Sequence, residues 1–577
     1  MIIIGINAYH GDAAAAIFVD GKLFAAIEEE RFTRIKHWGG FPSQSIAFCL
    51  KEAGVSFKDV DYYAIGRDPR AKFIKKLFYL ISHPSGNVSA LKDRILNSRK
   101  VASIEKELSA CSGISKKYFN NKILNVEHHR SHLASAFFAS PFDEAACLSI
   151  DGSGDFTTTM LAVGKGNNIK IIDSIDFPHS LGFFYTAFTQ FLGFPHYGDE
   201  YKIMGMAPYG NPIYIDDLKD VILLKSNGLF SLNLKYFRKA ASGIAYFDND
   251  YRPHVATLYS EHLISKFGEP RSKEEPLTQF HKDMAASVQR MSEIVIFHIL
   301  NYLQKITGLS NLCIAGGVAQ NSVANGKITS NTGFKNVYIP SAGHDAGISM
   351  GSALYVLHQH LNMTRKDPIF SAYTGSKFSN DEISNWLDLK GISYSYLNDD
   401  SLFDIVTDCL IQGGVVGWMQ GRAEFGPRAL GGRSILADPR RQDAKEILNT
   451  KIKRRESFRP FAPSILKEYV SEYFELDEPV PFMEKVFIIR TDKRSSLPSV
   501  THIDGTGRLQ TVDRDTAPRY YALIDTFRQK TGIPVLLNTS FNENEPIVNS
   551  PEDAFNCFMR TNMDMLVMEN IVIRRPQ

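Results

Sequence analysis

The chain lacks paired cysteines. Its 577 residues hold six, at Cys49, Cys111, Cys147, Cys313, Cys409 and Cys557, with no C-x-x-C among them. That scatter argues against a zinc ribbon or a disulfide frame and fits reduced thiols in a cytoplasmic protein. Long apolar runs are also missing: no segment approaches the roughly 20 apolar residues of a membrane span. The N-terminal MIIIGINAYHGD has no basic region before its short apolar run, so no signal peptide is expected. Nor is there an excess charge of one sign, since 65 basic residues face 63 acidic ones. That balance predicts neither a nucleic-acid nor a membrane partner, and any basic site must be local. No internal repeat or low-complexity tract is visible.

What remains is globular, with 44% apolar and 22% charged residues, and too long for one ordinary core. IIIGIN, AAAAIFV and LFAAIEEE read as three strands punctuated by Gly5, Gly11 and Gly21. KILNV, EAACLSI and LCIA read as further buried strands. Met284, Val288, Met291, Val295, Ile299 and Tyr302 recur at spacings of three and four, a long amphipathic helix ending near Gly308. Strands alternating with helices predict an α/β fold. The polar, turn-rich stretch over 361–380 marks a linker between a unit at 1–360 and a second at 381–577, which has strands at VVGWMQ and VLLN.

The chemistry concentrates in a few places. EHHRSHLASA puts His128 and His132 at i and i+4, on one helix face. An isolated H-x-x-x-H more often packs one histidine in the core. Here, however, Asp151 of SIDGSGD and Asp345 of SAGHDAG also stand at strand ends beside glycines. Two histidines and two carboxylates suit a first-row divalent metal, iron(II) above all. AGGVAQN follows a strand and reads as a helix-opening phosphate or adenosine loop carrying Gly316, Gly317 and Asn321, with Gly152 of DGSGD in a second such loop. Between Arg422 and Arg459 eleven Lys or Arg accompany five Asp or Glu. Interleaved glycines, prolines and apolar residues favour a pocket for a small polyanion over a solvated stripe. Arg508 lies in a Gly-rich turn, and LLNTSFN adds Thr539, Ser540 and Asn542 as polar groups suited to a nucleotide.

Taken together, EERFTRIKH, EHHRSHLASA, DGSGD, DEYKIMGMAPYG, AGGVAQN, GHDAG, GRAEFGPRALGGRSILADPR, FRPFAPS and LNTSFN resemble the O-carbamoyltransferase family in order and across nearly the whole chain. The resemblance implies an N-terminal actin-like ATPase domain of the TsaD-like kind, followed by a YrdC-like α/β domain. It implies that carbamoyl phosphate and ATP, with Mg²⁺, become carbamoyl-adenylate. The carbamoyl group then passes to a hydroxyl of a small molecule, a natural product or a saccharide. It implies His128, His132, Asp151 and Asp345 as iron(II) ligands. Arg428, Lys453, Arg459, Met483 and Arg508 become the carbamoyl phosphate and adenylate pocket. One departure stands out: family members often show His-Asp-Ala-Ser in the first loop, and this chain reads His10-Gly11-Asp12-Ala13-Ala14. His10 is the candidate acceptor base there, with Asp12 beside it in the catalytic set. Rival readings are a small-molecule kinase of the same ATPase fold and a tRNA threonylcarbamoyl-type transferase. The first leaves the second unit's arginines without a task, and the second wants a basic RNA surface. Residues 66–120 and 225–275 carry no readable motif and are left to shape the acceptor pocket.

Overall fold

Residues 1–82, 103–238 and 244–575 are described by a computed structural model, so part of 66–120 and part of 225–275 lie outside the described residues. The chain divides into two compact units, Met1–Ile369 and Phe370–Gln577. Both are mixed α/β.

The first unit holds two five-stranded sheets. One comprises β1 (Ile2–Asn7), β2 (Ala14–Val19), β3 (Lys22–Glu28), β4 (Tyr62–Ile65) and β5 (Ile123–Asn125), in the order β3-β2-β1-β4-β5. The other comprises β6 (Glu144–Gly154), β7 (Thr157–Lys165), β8 (Asn168–Asp176), β9 (Asn311–Ala315) and β10 (Asn336–Tyr338), in the order β8-β7-β6-β9-β10. In each sheet the first three strands pair antiparallel and the last two join in parallel. This doubled arrangement is that of the actin-like ATPases. The expectation of no internal repeat therefore fails at the level of structure. The two halves share strand order and strand direction, which many apolar sequences satisfy, and not a common string of residues.

Apolar periodicity explains the strands. In β1 every residue after Ile2 is buried, as befits a strand covered on both faces. The long helix Gln279–Thr307 buries Met284, Val288, Met291, Val295 and Ile299, and Gly308 ends it in the left-handed conformation at φ 68°. The helix His128–Phe137 packs against Gly347–Leu354, which is made largely of small residues. Their close approach depends on Gly351: a Cβ there would lie 1.9 Å from the Ser131 carbonyl oxygen.

The second unit is built on one nine-stranded sheet. Its central strands are Val416–Met419, Arg433–Ala437, Val535–Ser540 and Ala462–Leu466. The expected strands VVGWMQ and VLLN fall there. Trp418 is fully buried with Leu402, Val406 and Phe527 on one face of this sheet.

Gly351 gives the first test. Alanine gains about 1 kcal/mol of helix propensity over glycine. A methyl against a backbone carbonyl nevertheless forces the two helices apart, and overpacking of this kind costs about 1–3 kcal/mol. Gly351→Ala is expected to lower the urea midpoint of the first unit's transition. An unchanged midpoint would show that the helix pair is not held at this contact.

Candidate metal centre and anion pocket

His128 is the first residue of its helix, and the Glu127 side chain caps that helix by accepting from the Arg130 N–H. One turn on, His132 points the same way. Asp151 comes from β6, and Asp345 from the turn before helix Gly347–Leu354. All four are buried, and one donor atom of each lies within 4.8 Å of every other. His128 Nε2 is 3.1 Å from Asp151 Oδ2 and 3.7 Å from Asp345 Oδ1; His132 Nε2 is 3.6 and 3.4 Å from the same two oxygens. With metal–ligand bonds of about 2.1 Å, adjacent ligands stand about 3.0 Å apart at right angles and about 3.4 Å apart in a tetrahedron. The observed spacings match that range and are mostly too long for hydrogen bonds. His132 Nδ1 and Nε2, His128 Nδ1 and Asp345 Oδ1 are buried without a hydrogen-bond partner among the described residues. Such atoms are costly unless something else meets them, so the set fits a cation.

The electrostatics agree. Burial alone would push His132 down, but the Asp151 and Asp345 carboxylates beside it hold it up at about 9. Burial would raise Asp151, yet His128 and His132 keep it well below the usual carboxylate range. Both carboxylates are thus held ionised within one buried cluster. The glycines of DGSGD and AGGVAQN serve it directly. A Cβ on Gly154 would fall 2.0 Å from the His128 ring, so only glycine lets that ring reach the cluster. The Gly317 N–H donates to Asp151 Oδ1 at 2.8 Å, and the Gly316 N–H to the Gly343 carbonyl beside Asp345. AGGVAQN follows a strand and opens a short helix. It forms a 3₁₀ turn at Gly317–Gln320 and a four-residue helix at Ser322–Asn325, capped by Asn321. The Asn321 amide is itself tied to Gln289. Gly152 lies next to Asp151, with Gly182 and Phe183 packed over it.

The first loop reaches the same place. His10 Nδ1 lies 2.6 Å from Asp345 Oδ2. Asp12 turns the other way: its Oδ1 is 2.7 Å from His37 Nδ1. His37 ends the motif EERFTRIKH, and single-residue reading passed over it.

In the second unit the basic stretch sorts into structural and converging members. Arg433 is fully buried and donates to the carbonyls of Gln420, Gly421, Gly432 and Ser376. Glu424 Oε1 accepts from the N–H groups of Leu430, Gly432 and Arg433 and so shapes the GPRALGG loop. Arg440 pairs with Asp438 and Arg441 with Asp443. Arg428, Arg455, Arg459 and Arg508 come together: burial and then those three neighbours push Arg508 well below the ordinary guanidinium range. Arg508 Nε is buried without a partner among the described residues. Arg455, which stacks at 4.7 Å on Phe461, was not singled out from the sequence, although its motif was. Lys453 sits under this pocket. Its buried ammonium donates to the carbonyls of Ser540 and Asn542 and to Asn542 Oδ1, so it holds the LNTSFN turn that carries Thr539. Burial, then Arg455, pushes Lys453 well below its ordinary value. Met483 is buried at φ 57°, in a small cluster with Phe482, Leu430 and Ala462.

Two family models match the chain: "Carbamoyltransferase N-terminus" over residues 2–354 and "Carbamoyltransferase C-terminus" over 407–575. The chain is 45% identical to an uncharacterized protein of Synechocystis sp., covering 99% of this chain and 96% of that one. It is 38% identical to nodulation protein NolNO of Sinorhizobium fredii, covering 99% and 80%. Among solved structures, HypF of T. kodakarensis is similar at 15% identity over 64% of this chain and 49% of that chain, with a TM-score of 0.32. That likeness is too remote to add to the topology above.

The cluster makes a measurable demand. Elemental analysis of the purified protein should find about one first-row metal per chain, iron before the others. Outer partners of metal ligands typically account for 10–100-fold in affinity. His10→Ala, which removes the partner of Asp345, should therefore weaken metal affinity by about that factor in a chelator competition. Affinity equal to wild type would separate His10 from the centre.

Proposed function

The chain belongs to the carbamoyltransferase family, and from that premise we propose that it works in two steps, one in each unit. The second unit makes carbamoyl-adenylate from carbamoyl phosphate and ATP. The first unit passes the carbamoyl group to a hydroxyl of a small-molecule acceptor, a saccharide or other natural product. The observation that carries this reading is the convergence of Arg428, Arg455, Arg459 and Arg508 in a unit that does not contain the metal ligands.

Carbamoyl phosphate is a mixed anhydride. One water hydrolyses it to carbamate and inorganic phosphate, and the carbamate oxygen then attacks the α-phosphorus of ATP, with pyrophosphate leaving. That step brings two polyanions together, and their repulsion must be offset by fixed positive charge. Arg428, Arg455 and Arg459 add their positive charge to that of the buried Arg508, with Arg459 also paired to Glu456 and Arg455 donating to Asn449. The site is thus organised for the anions in advance, and planar forks match phosphate oxygens two at a time. Lys453 contributes by fixing the Ser540–Asn542 turn, in which Ser540 Oγ also donates to Asn542 Oδ1.

In the first unit, a first-row divalent metal held by His128, His132, Asp151 and Asp345 would supply positive charge for the adenylate phosphate and for AMP as it departs. The residues around it do the rest. The Gly317 N–H and the His10 ring keep the two carboxylates oriented. Transfer is then mainly a matter of holding the acceptor oxygen on the carbamoyl carbon.

The test is product identity. Full-length protein given ATP, Mg²⁺ and carbamoyl phosphate should form AMP and pyrophosphate, and neither without carbamoyl phosphate. ADP as the product would favour a kinase. Arg508→Ala should lower the rate by about 10²–10³-fold, the usual cost of losing one donor to developing charge. AMP formation at the wild-type rate in that variant would remove the arginine pocket from the reaction.

A further inference from the structure

The transfer step leaves one proton unassigned, that of the acceptor hydroxyl. We infer that the His37–Asp12 pair takes it, with His37 Nε2 as the accepting atom, which makes His37 the general base of carbamoyl transfer. This inference rests on the two-step reading above.

Hydrogen bonding fixes the tautomer. His37 Nδ1 stands 2.7 Å from Asp12 Oδ1. An ionised carboxylate only accepts, so Nδ1 carries the proton and the Nε2 lone pair is left open. Nε2 has no hydrogen-bond partner among the described residues, and the His37 side chain is 23% exposed. Asp12 is 10% exposed; burial would raise its carboxyl, but His37 and then His344 together hold it below its usual value, and against its own burial the Asp12 carboxylate raises His37, which strengthens it as a base.

The backbone is held in an unfavourable shape to achieve this. Both Asp12 and His37 adopt φ of 58°, a region that residues with a side chain seldom occupy. Such conformations persist where the surroundings over-determine them, and they cluster at functional sites. Here Glu30 Oε2 accepts from the His37 N–H at 2.7 Å. The Asn7 amide donates to the carbonyls of Gly11 and Asp12 at 3.1 and 3.0 Å.

The pair is also close to the metal ligands. His10, two residues before Asp12, touches Asp345. Two residues span at most about 7 Å, so the acid that orients the base and the histidine on the metal carboxylate share one short loop. Tyr197 lies against that loop: a Cβ on Gly11 would meet its Oη at 2.5 Å, and its ring is edge-on to His37 with centroids 5.2 Å apart. Next to Tyr197, Gly198 has φ 79°, and a Cβ there would fall 2.5 Å from His37 Nε2. Any side chain at 198 would cover the atom that must stay accessible. His10 is placed less well for the same task, because its carboxylate partner is a proposed metal ligand and its ring serves to orient that ligand.

The step balances without a further reactant. The acceptor oxygen attacks the carbamoyl carbon of carbamoyl-adenylate, and its proton moves to Nε2. A carbon–oxygen bond forms, the bond from that carbon to the adenylate phosphate oxygen breaks, and AMP leaves with the electron pair.

A nucleophile that needs no base separates this role from others. Full-length protein with ATP and carbamoyl phosphate is assayed for AMP release with water as the only hydroxyl and again with added hydroxylamine, whose nitrogen lone pair attacks directly. General bases contribute about 10²–10⁴-fold. The ratio of the hydroxylamine rate to the water rate should therefore rise at least about tenfold in His37→Gln over wild type. Gly198→Ala, whose methyl would crowd Nε2 while keeping both residues of the pair in the chain, should raise the same ratio, so the test survives if His37→Gln melts early. An unchanged ratio in whichever variants remain folded overturns the inference. So does a wild type that responds to hydroxylamine but releases no AMP with water, because a poised base activates water. A wild type that forms no carbamoyl phosphate-dependent AMP with either nucleophile removes the two-step reading itself, and this inference with it.

Discussion

Two carboxylates and two imidazoles buried within 4.8 Å of one another set the terms for the first unit. Burying one unpaired charge costs several kcal/mol even after relaxation, and here two acids are held ionised away from water. A cation in their midst repays that cost, and the surrounding structure is arranged to keep it there. Gly351 lets the histidine helix sit against its neighbour, Gly154 makes room for the His128 ring, and the Gly317 N–H and His10 hold one carboxylate each. The doubled sheet supplies the strand ends from which these groups project.

The second unit inverts the sign of the same problem. Burial and then Arg428, Arg455 and Arg459 disfavour the charged form of Arg508, and burial drives Lys453 far down. A polyanion relieves what a cation relieves in the first unit. In the proposed account these two demands divide the chemistry: phosphates are gathered where guanidiniums converge, and AMP departs where carboxylates hold a metal.

Much of this was legible in the sequence because it is local. Three strands could be read from IIIGIN, AAAAIFV and LFAAIEEE, and the i, i+4 spacing of His128 and His132 placed both on one face. The metal quartet could be assembled because Asp151 and Asp345 stand beside glycines. What was hidden depends on contacts between distant residues. Asp12 and His37 are 25 positions apart, and no periodicity links them. Arg433 looks like any other arginine of its motif, yet it spends its donors on backbone carbonyls. The repeat of sheet order was invisible because strand order and direction, not residue identity, are what the halves share.

The central claim is that the two steps occupy separate sites. It is tested most directly by the pyrophosphate burst of His132→Ala, measured by rapid quench with ATP and carbamoyl phosphate beside a thermal melt. The variant loses a metal ligand and none of the arginines. If the sites are separate, the folded variant still releases a burst of about one pyrophosphate per chain, while steady carbamoyl transfer to nucleophile stops. A folded variant that loses the burst along with transfer would show that both steps share one site, and would contradict the account.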